Sequence, residues 1–122
     1  MRFFRRLAEL SEPEEQLRAQ EVRHQVAELP GVEQIAVCRP RRRARVAGIV
    51  QAIRVVPQQE STRLEVEIYD GTDQITGVWL GRRRIPGIEL GLPIILEGTI
   101  SSILDHDLQI INPAYEFLPA HD

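Results

Sequence analysis

Thr62-Arg63-Leu64-Glu65-Val66-Glu67-Ile68-Tyr69-Asp70-Gly71 is the stretch on which the fold turns. Leu64, Val66 and Ile68 alternate with Arg63, Glu65, Glu67 and Tyr69, the period-two pattern of a strand buried on one face only. Asp70-Gly71 then supplies the residues of a tight hairpin turn, so a second strand must return beside the first. That return is residues 73–80, where Ile75, Gly77 and Trp79 share one face. Upstream, residues 44–56 form a longer apolar run containing Gly48, where a bulge or sharp coil is permitted. Downstream lie two more strands, 92–101 with Gly98 inside and 108–111, the latter ended by Asn112-Pro113. Residues 114–119 read as a tail.

The connector between the third and fourth strands, 82–91, holds Pro86 and two further glycines, which argues against a long helix there. Five strands, a long kinked first strand and a connector at that point describe a five-stranded Greek-key OB-fold barrel. A five-stranded SH3-like barrel would give a similar pattern; the place of the connector favours the OB-fold.

Residues 1–37 differ in kind. Ser11 followed by Glu14 matches a capping box, and Pro13 sits in the tolerant first turn. The helix is expected to run to about Leu29, before Pro30-Gly31, with Ala19, Val22, Val26 and Leu29 along one face. That stripe is narrow, so the helix needs a surface to dock on. The fold class is therefore mainly β with an N-terminal α-helical extension, divided as 1–37 (helical extension), 38–119 (barrel) and 120–122 (tail).

The chain has 122 residues and a formal net charge of −3, and all fifteen of its Lys-plus-Arg positions are arginine. The positive charge is segregated. Arg39, Arg41, Arg42, Arg43, Arg45 and Arg54 occur with no acid among them, and Arg82-Arg83-Arg84 follow the sole tryptophan, Trp79. Guanidinium groups bind phosphate bidentately and stack on bases, so this pattern suits a polyanion. Candidate contacts are Arg41, Arg42, Arg43, Arg45, Arg54, Arg63, Arg82, Arg83 and Arg84, with Tyr69 and Trp79 as stacking groups. Each has a bland counterpart. The arginines at 41–45 are equally suited to a solvated linker or to neutralising the acidic helix. Alternation places Trp79 inside the barrel, where tryptophan is commonly found. Tyr69 faces outward, beside Glu65 and Glu67, which repel phosphate.

Other chemistry is not supported. Asp105-His106-Asp107 are neighbours on one turn and have no partner set in His24, His121 or Cys38 at ligand spacing, so no metal or other cofactor is expected. Cys38 has no base arranged to activate it, no Walker-type or dinucleotide loop occurs, and an enzyme is not expected. The single cysteine and the lack of a transmembrane run or secretory signal point to the cytoplasm. Phe3, Phe4, Leu7 and Leu10 with Arg2, Arg5 and Arg6 form a short basic amphipathic piece. A helix docking on the barrel or on a second subunit is the expectation for it, ahead of a membrane.

Val46-Ala47-Gly48-Ile49-Val50, Tyr69-Asp70-Gly71-Thr72, Val78-Trp79-Leu80-Gly81-Arg82, Leu96-Glu97-Gly98 and Ile111-Asn112-Pro113-Ala114-Tyr115-Glu116 together resemble small bacterial OB-fold nucleic-acid-binding proteins. They are also similar to the wedge-type OB domain of branch-migration DNA helicases. The resemblance spans about residues 44–118. Helicase motor motifs are absent from this chain, so the resemblance implies binding without unwinding. It implies single-stranded or structured DNA as partner, ahead of RNA, held by arginine–phosphate contacts and limited stacking. The rival expectation is a protein-interaction module acting as an accessory subunit, since fold alone does not fix function.

Overall fold

The computed structural model describes residues 3–6, 12–103 and 107–118. The Ser11 cap, residues 7–10 of the amphipathic piece, Asp105, His106 and His121 fall outside them. The elements are β1 (Phe3–Arg6), α1 (Glu12–Ala27), a 3-10 turn (Ile35–Val37), β2 (Arg43–Pro57), β3 (Thr62–Tyr69), β4 (Gln74–Leu80), β5 (Pro93–Ser102), β6 (Leu108–Ile111) and β7 (Ala114–Phe117).

All seven strands join one sheet in the order β1-β2-β3-β4-β6-β5-β7, and an additional β2–β5 pairing closes β2 to β6 into a barrel. The β4–β6 pairing is parallel, Thr76 opposite Gln109 and Val78 opposite Ile111; the pairings around the rest of the ring are antiparallel. Closure through a parallel pairing of the third and fifth barrel strands is OB-fold topology and removes the SH3-like alternative. Period-two alternation does its expected work: Val46, Val50, Leu64, Val66, Ile68, Ile75, Ile94, Leu96, Ile100 and Ile110 fill the interior and are almost fully buried. Each such side chain stabilises the fold by about 1.5–3 kcal/mol relative to exposure.

β2 serves two neighbours. Its first half, Arg43 to Ile49, pairs with β5, and its second half, from Ile49 onward, with β3. The irregularity that bends it falls between Val50 and Ala52, not at Gly48. Gly48 answers a different need: a Cβ there would drive into the backbone of Tyr69.

Residues 3–6 are extended, not helical. β1 lies antiparallel on the edge of β2 at Ala52 to Val55. The segment 114–117, expected as a tail, is also a strand. β6 and β7 both pair antiparallel with β5, Ile110 opposite Ile100 and Ala114 opposite Glu97, so the two are one strand interrupted by one extra residue at Asn112-Pro113. Asn112 takes φ 48° there. Its N–H donates to the Val78 carbonyl at 2.6 Å and its side-chain carbonyl accepts from the Leu80 N–H at 3.1 Å. The extra residue changes the phase of alternation, a local effect proper to a bulge.

The helix docks as its stripe requires. Val22 and Val26 pack on Ala47 and Ile95, paired neighbours on β2 and β5, with Leu29 and Val32 beside them. The 3-10 turn closes one end of the barrel by burying Ile35 and Cys38 in the core. The connector 81–92 covers the other end with Ile85 buried and Ile88, Leu90 and Leu92 half-buried. β4 runs from one closure to the other, its start beside Tyr69 and its end beside Arg63.

Candidate nucleic-acid interface

The outer face of β2, β3 and β4 presents a shallow cleft of about 230 Å³. Its walls include Arg54, Arg63, Glu65, Glu67, Gln74 and Gln109, with Ile103 and Asp107 at the β5–β6 side. The cleft is occupied by its own counter-charges. Arg54 stands opposite Glu65 in register, 3.6 Å from its carboxylate and 3.4 Å from that of Glu67. Arg63 Nε lies 2.9 Å from Glu65 Oε2, although its N–H is not aligned for a hydrogen bond. Gln51 adds an amide: its Nε2 donates to Glu67 Oε2 and to Gln74 Oε1, both at 2.9 Å. Arg63 also donates to Gln109 Oε1 at 3.2 Å. The four charged side chains, Arg54, Arg63, Glu65 and Glu67, are 6–22% exposed, so the pairs are shielded from salt more than surface pairs are.

At the start of β2, Arg45 is held by Glu97 at 3.1 Å and Glu116 at 3.0 Å, and Arg43 reaches Glu97 at 3.5 Å. Hydrogen bonds to Glu116 and Glu97 make the Arg45 guanidinium still harder to deprotonate. Arg41, Arg42, Arg82, Arg83 and Arg84 are exposed, and none of them is in ion-pair range of a described carboxylate.

The arginines do not converge on one concave face. Arg41 N–H donates to the Ile100 carbonyl, which places that cluster beside the start of the β5–β6 loop. Gly81 N–H donates to the Thr62 carbonyl, which places Arg82 to Arg84 at the opposite end of β4. Only Arg54 and Arg63 line the cleft between them.

The aromatic candidates fare differently. Trp79 is 4% exposed and belongs to the core, which is the interior reading; its indole has no face to offer a base. Tyr69 is half-buried, and the Arg18 guanidinium from α1 lies 5.9 Å from its ring centroid, so the helix covers this end of the face.

Two features were not anticipated. One is the set of amides Gln51, Gln74 and Gln109, which no short motif marks. The other is the pair Tyr115 and Phe117 on β7, 39% and 38% exposed. Their rings meet edge to face with centroids 5.6 Å apart, and Tyr115 meets Trp79 in the same manner at 6.0 Å. The alternation Tyr115-Glu116-Phe117 is the signal for this strand, but it restarts out of phase after Asn112 and so reads as a tail.

Among the described residues no group of three or more His, Cys, Asp or Glu is placed to hold a metal ion, and no helix is long and apolar enough to cross a membrane. Cys38 is buried, and burial, with Glu33 and Asp70 nearby, pushes its thiol pKa up to about 11.

No protein-family model and no curated protein matches the sequence. Seventeen chains of solved structures match. One belongs to "Structure and Conformational Change of a Replication Protein A Heterotrimer Bound to ssDNA", with a TM-score of 0.49, 13% identity, and 76% of this chain and 70% of that chain covered. The fold assignment rests on strand order and on the parallel β4–β6 closure.

Proposed function

We propose that this protein binds nucleic acid, single-stranded or structured DNA ahead of RNA, without catalysing a reaction. One observation carries the reading: five arginines without a described carboxylate partner, Arg41 and Arg42 beside β5 and Arg82, Arg83 and Arg84 after β4, stand at opposite ends of the barrel on a chain whose net charge is −3. A strand that approaches either end of the barrel meets positive charge. Phosphates avoid the middle, where Glu65 and Glu67 neutralise Arg54 and Arg63. Affinity is then modest, tolerant of sequence and governed by salt.

The test is a titration of fluorescent oligonucleotides at several salt concentrations. For about three to five phosphate contacts, log affinity falls with log salt with a slope near −0.7 per contact on single strands. No binding at low salt overturns the reading.

The neutralised cleft favours a second reading, a protein-docking module. A face whose charges are already paired is poor at gathering phosphate and well suited to a partner with matched hydrogen bonds. A protein that co-purifies stoichiometrically, together with no affinity for oligonucleotides, decides for it.

A further inference from the structure

The aromatic pair on β7 and the arginines of the connector belong to one surface. Of the aromatic residues whose side chains are described, Trp79 is buried and Tyr69 lies under Arg18, whereas Tyr115 and Phe117 are each more than a third exposed. The connector leaves this row and returns to it. Trp79, on β4 two residues before the connector, touches the Tyr115 ring. Gly87, near its middle, lies against the Phe117 ring, close enough for an added methyl group to stand 3.2 Å from it. Arg82, Arg83 and Arg84 occupy the span between. Arg83, Arg84 and Gly87 also border one hollow of about 340 Å³ between connector and barrel.

Charge on this surface favours an anion. Glu116 lies between the two rings in sequence but faces away, held by Arg45 at 3.0 Å. Glu89 is the described carboxylate that remains on the rim of the hollow.

We infer that bases of a single strand stack on Tyr115 and Phe117 while Arg82, Arg83 and Arg84 take the adjoining phosphates, so that the contact surface is β7 and the connector instead of the β3–β4 cleft. The inference rests on the nucleic-acid reading above. Its physical basis is that stacking needs an open π-face with cationic groups nearby and no opposing carboxylate. In the described part of the cleft Arg54 and Arg63 are paired with Glu65 and Glu67, Asp107 adds a further carboxylate, and there is no open ring.

The experiment uses the full chain and a fluorescein-labelled oligothymidylate, read by anisotropy at low salt. Tyr115→Leu with Phe117→Leu keeps apolar bulk but removes both rings, and is expected to weaken binding about tenfold or more. Tyr115→Phe keeps the ring and stays within about twofold of the parent. Glu89→Gln strengthens binding, and Gln109→Ala in the cleft leaves it within about twofold. Because Trp79 is the sole tryptophan and touches Tyr115, unlabelled oligonucleotide shifts its emission; this holds even where a leucine variant fails to fold.

Unchanged affinity in the double leucine variant, or unchanged Trp79 emission on saturation, overturns the inference and leaves the nucleic-acid reading standing. Loss of binding on Gln109→Ala alone puts the strand in the cleft and likewise overturns it. Absence of binding by the parent chain removes the nucleic-acid reading itself.

Discussion

Asp70 holds Ile35 across 35 residues of sequence: its Oδ2 accepts the Ile35 N–H at 2.8 Å. Its other oxygen accepts from the Thr72 and Asp73 N–H groups and the Thr72 hydroxyl. A carboxylate that is 1% exposed thus fixes the β3–β4 turn and pins the 3-10 closure to it. Asp70→Ala leaves buried donors unsatisfied and is expected to cost on the order of 2–4 kcal/mol, read as a lower urea midpoint. A loss under 1 kcal/mol would mean that water replaces the carboxylate.

Gly71 and Gly31 separate two effects of glycine. Both have φ near +80°, at +88° and +73°. A Cβ at Gly71 would collide with the Ala19 carbonyl and the Arg23 backbone, whereas at Gly31 it meets open space. Gly31→Ala is expected to cost about 1–2 kcal/mol, the left-handed penalty alone. Gly71→Ala costs more and also dislodges α1, since Arg23 donates to the Gly71 carbonyl at 2.8 Å. Amide exchange of residues 12–27 tests this; protection equal in both variants counts against it.

Cys38 gives the fold an alkaline limit. Its thiol moves from an ordinary 9.0 to about 11, so the folded state keeps its proton after the unfolded chain has lost it. The contribution is complete below pH 9 and declines as pH rises towards 11. The amount is on the order of 3 kcal/mol, at 1.36 kcal/mol per pKa unit. Denaturant midpoints of the parent and of Cys38→Ala, followed from pH 8 to 11, should fall more steeply in the parent. Parallel curves would contradict the assignment.

Arg54 is the centre of the cleft network. Arg54→Met leaves Glu65 and Glu67 without their shared cation and is expected to cost about 2–4 kcal/mol, near the range for removing one member of a buried pair. Adding Glu67→Gln should recover part of that loss, a coupling that a double-mutant cycle measures. Additive losses would show that the charges act independently.

The barrel was legible because period-two alternation is strong in Thr62–Tyr69 and the residues flanking it, and because Asp70-Gly71 marks a turn unambiguously. The helix was legible from Val22, Val26 and the stop at Pro30-Gly31. β1 was not, because four residues of mixed basic and apolar character fit helix and strand alike; its state is decided by the open edge of β2. β7 was not, because alternation restarts out of phase after Asn112. The arginines were visible, but their partners were not. Arg54 meets Glu65 only through a register set by the irregularity between Val50 and Ala52, and Arg45 meets Glu116 across β5.

The additional residue at Asn112-Pro113 makes the C-terminal strand intolerant of small changes in length. Removing one residue there would turn Glu116 toward the core and Tyr115 and Phe117 away from Trp79, since a step of one exchanges the two sides of a strand. The 57–61 hairpin loop, exposed throughout, can absorb the same edit with little effect. Homologous chains should therefore vary in length at 57–61 and hold the spacing between Ile110 and Tyr115 constant, whatever residues fill it.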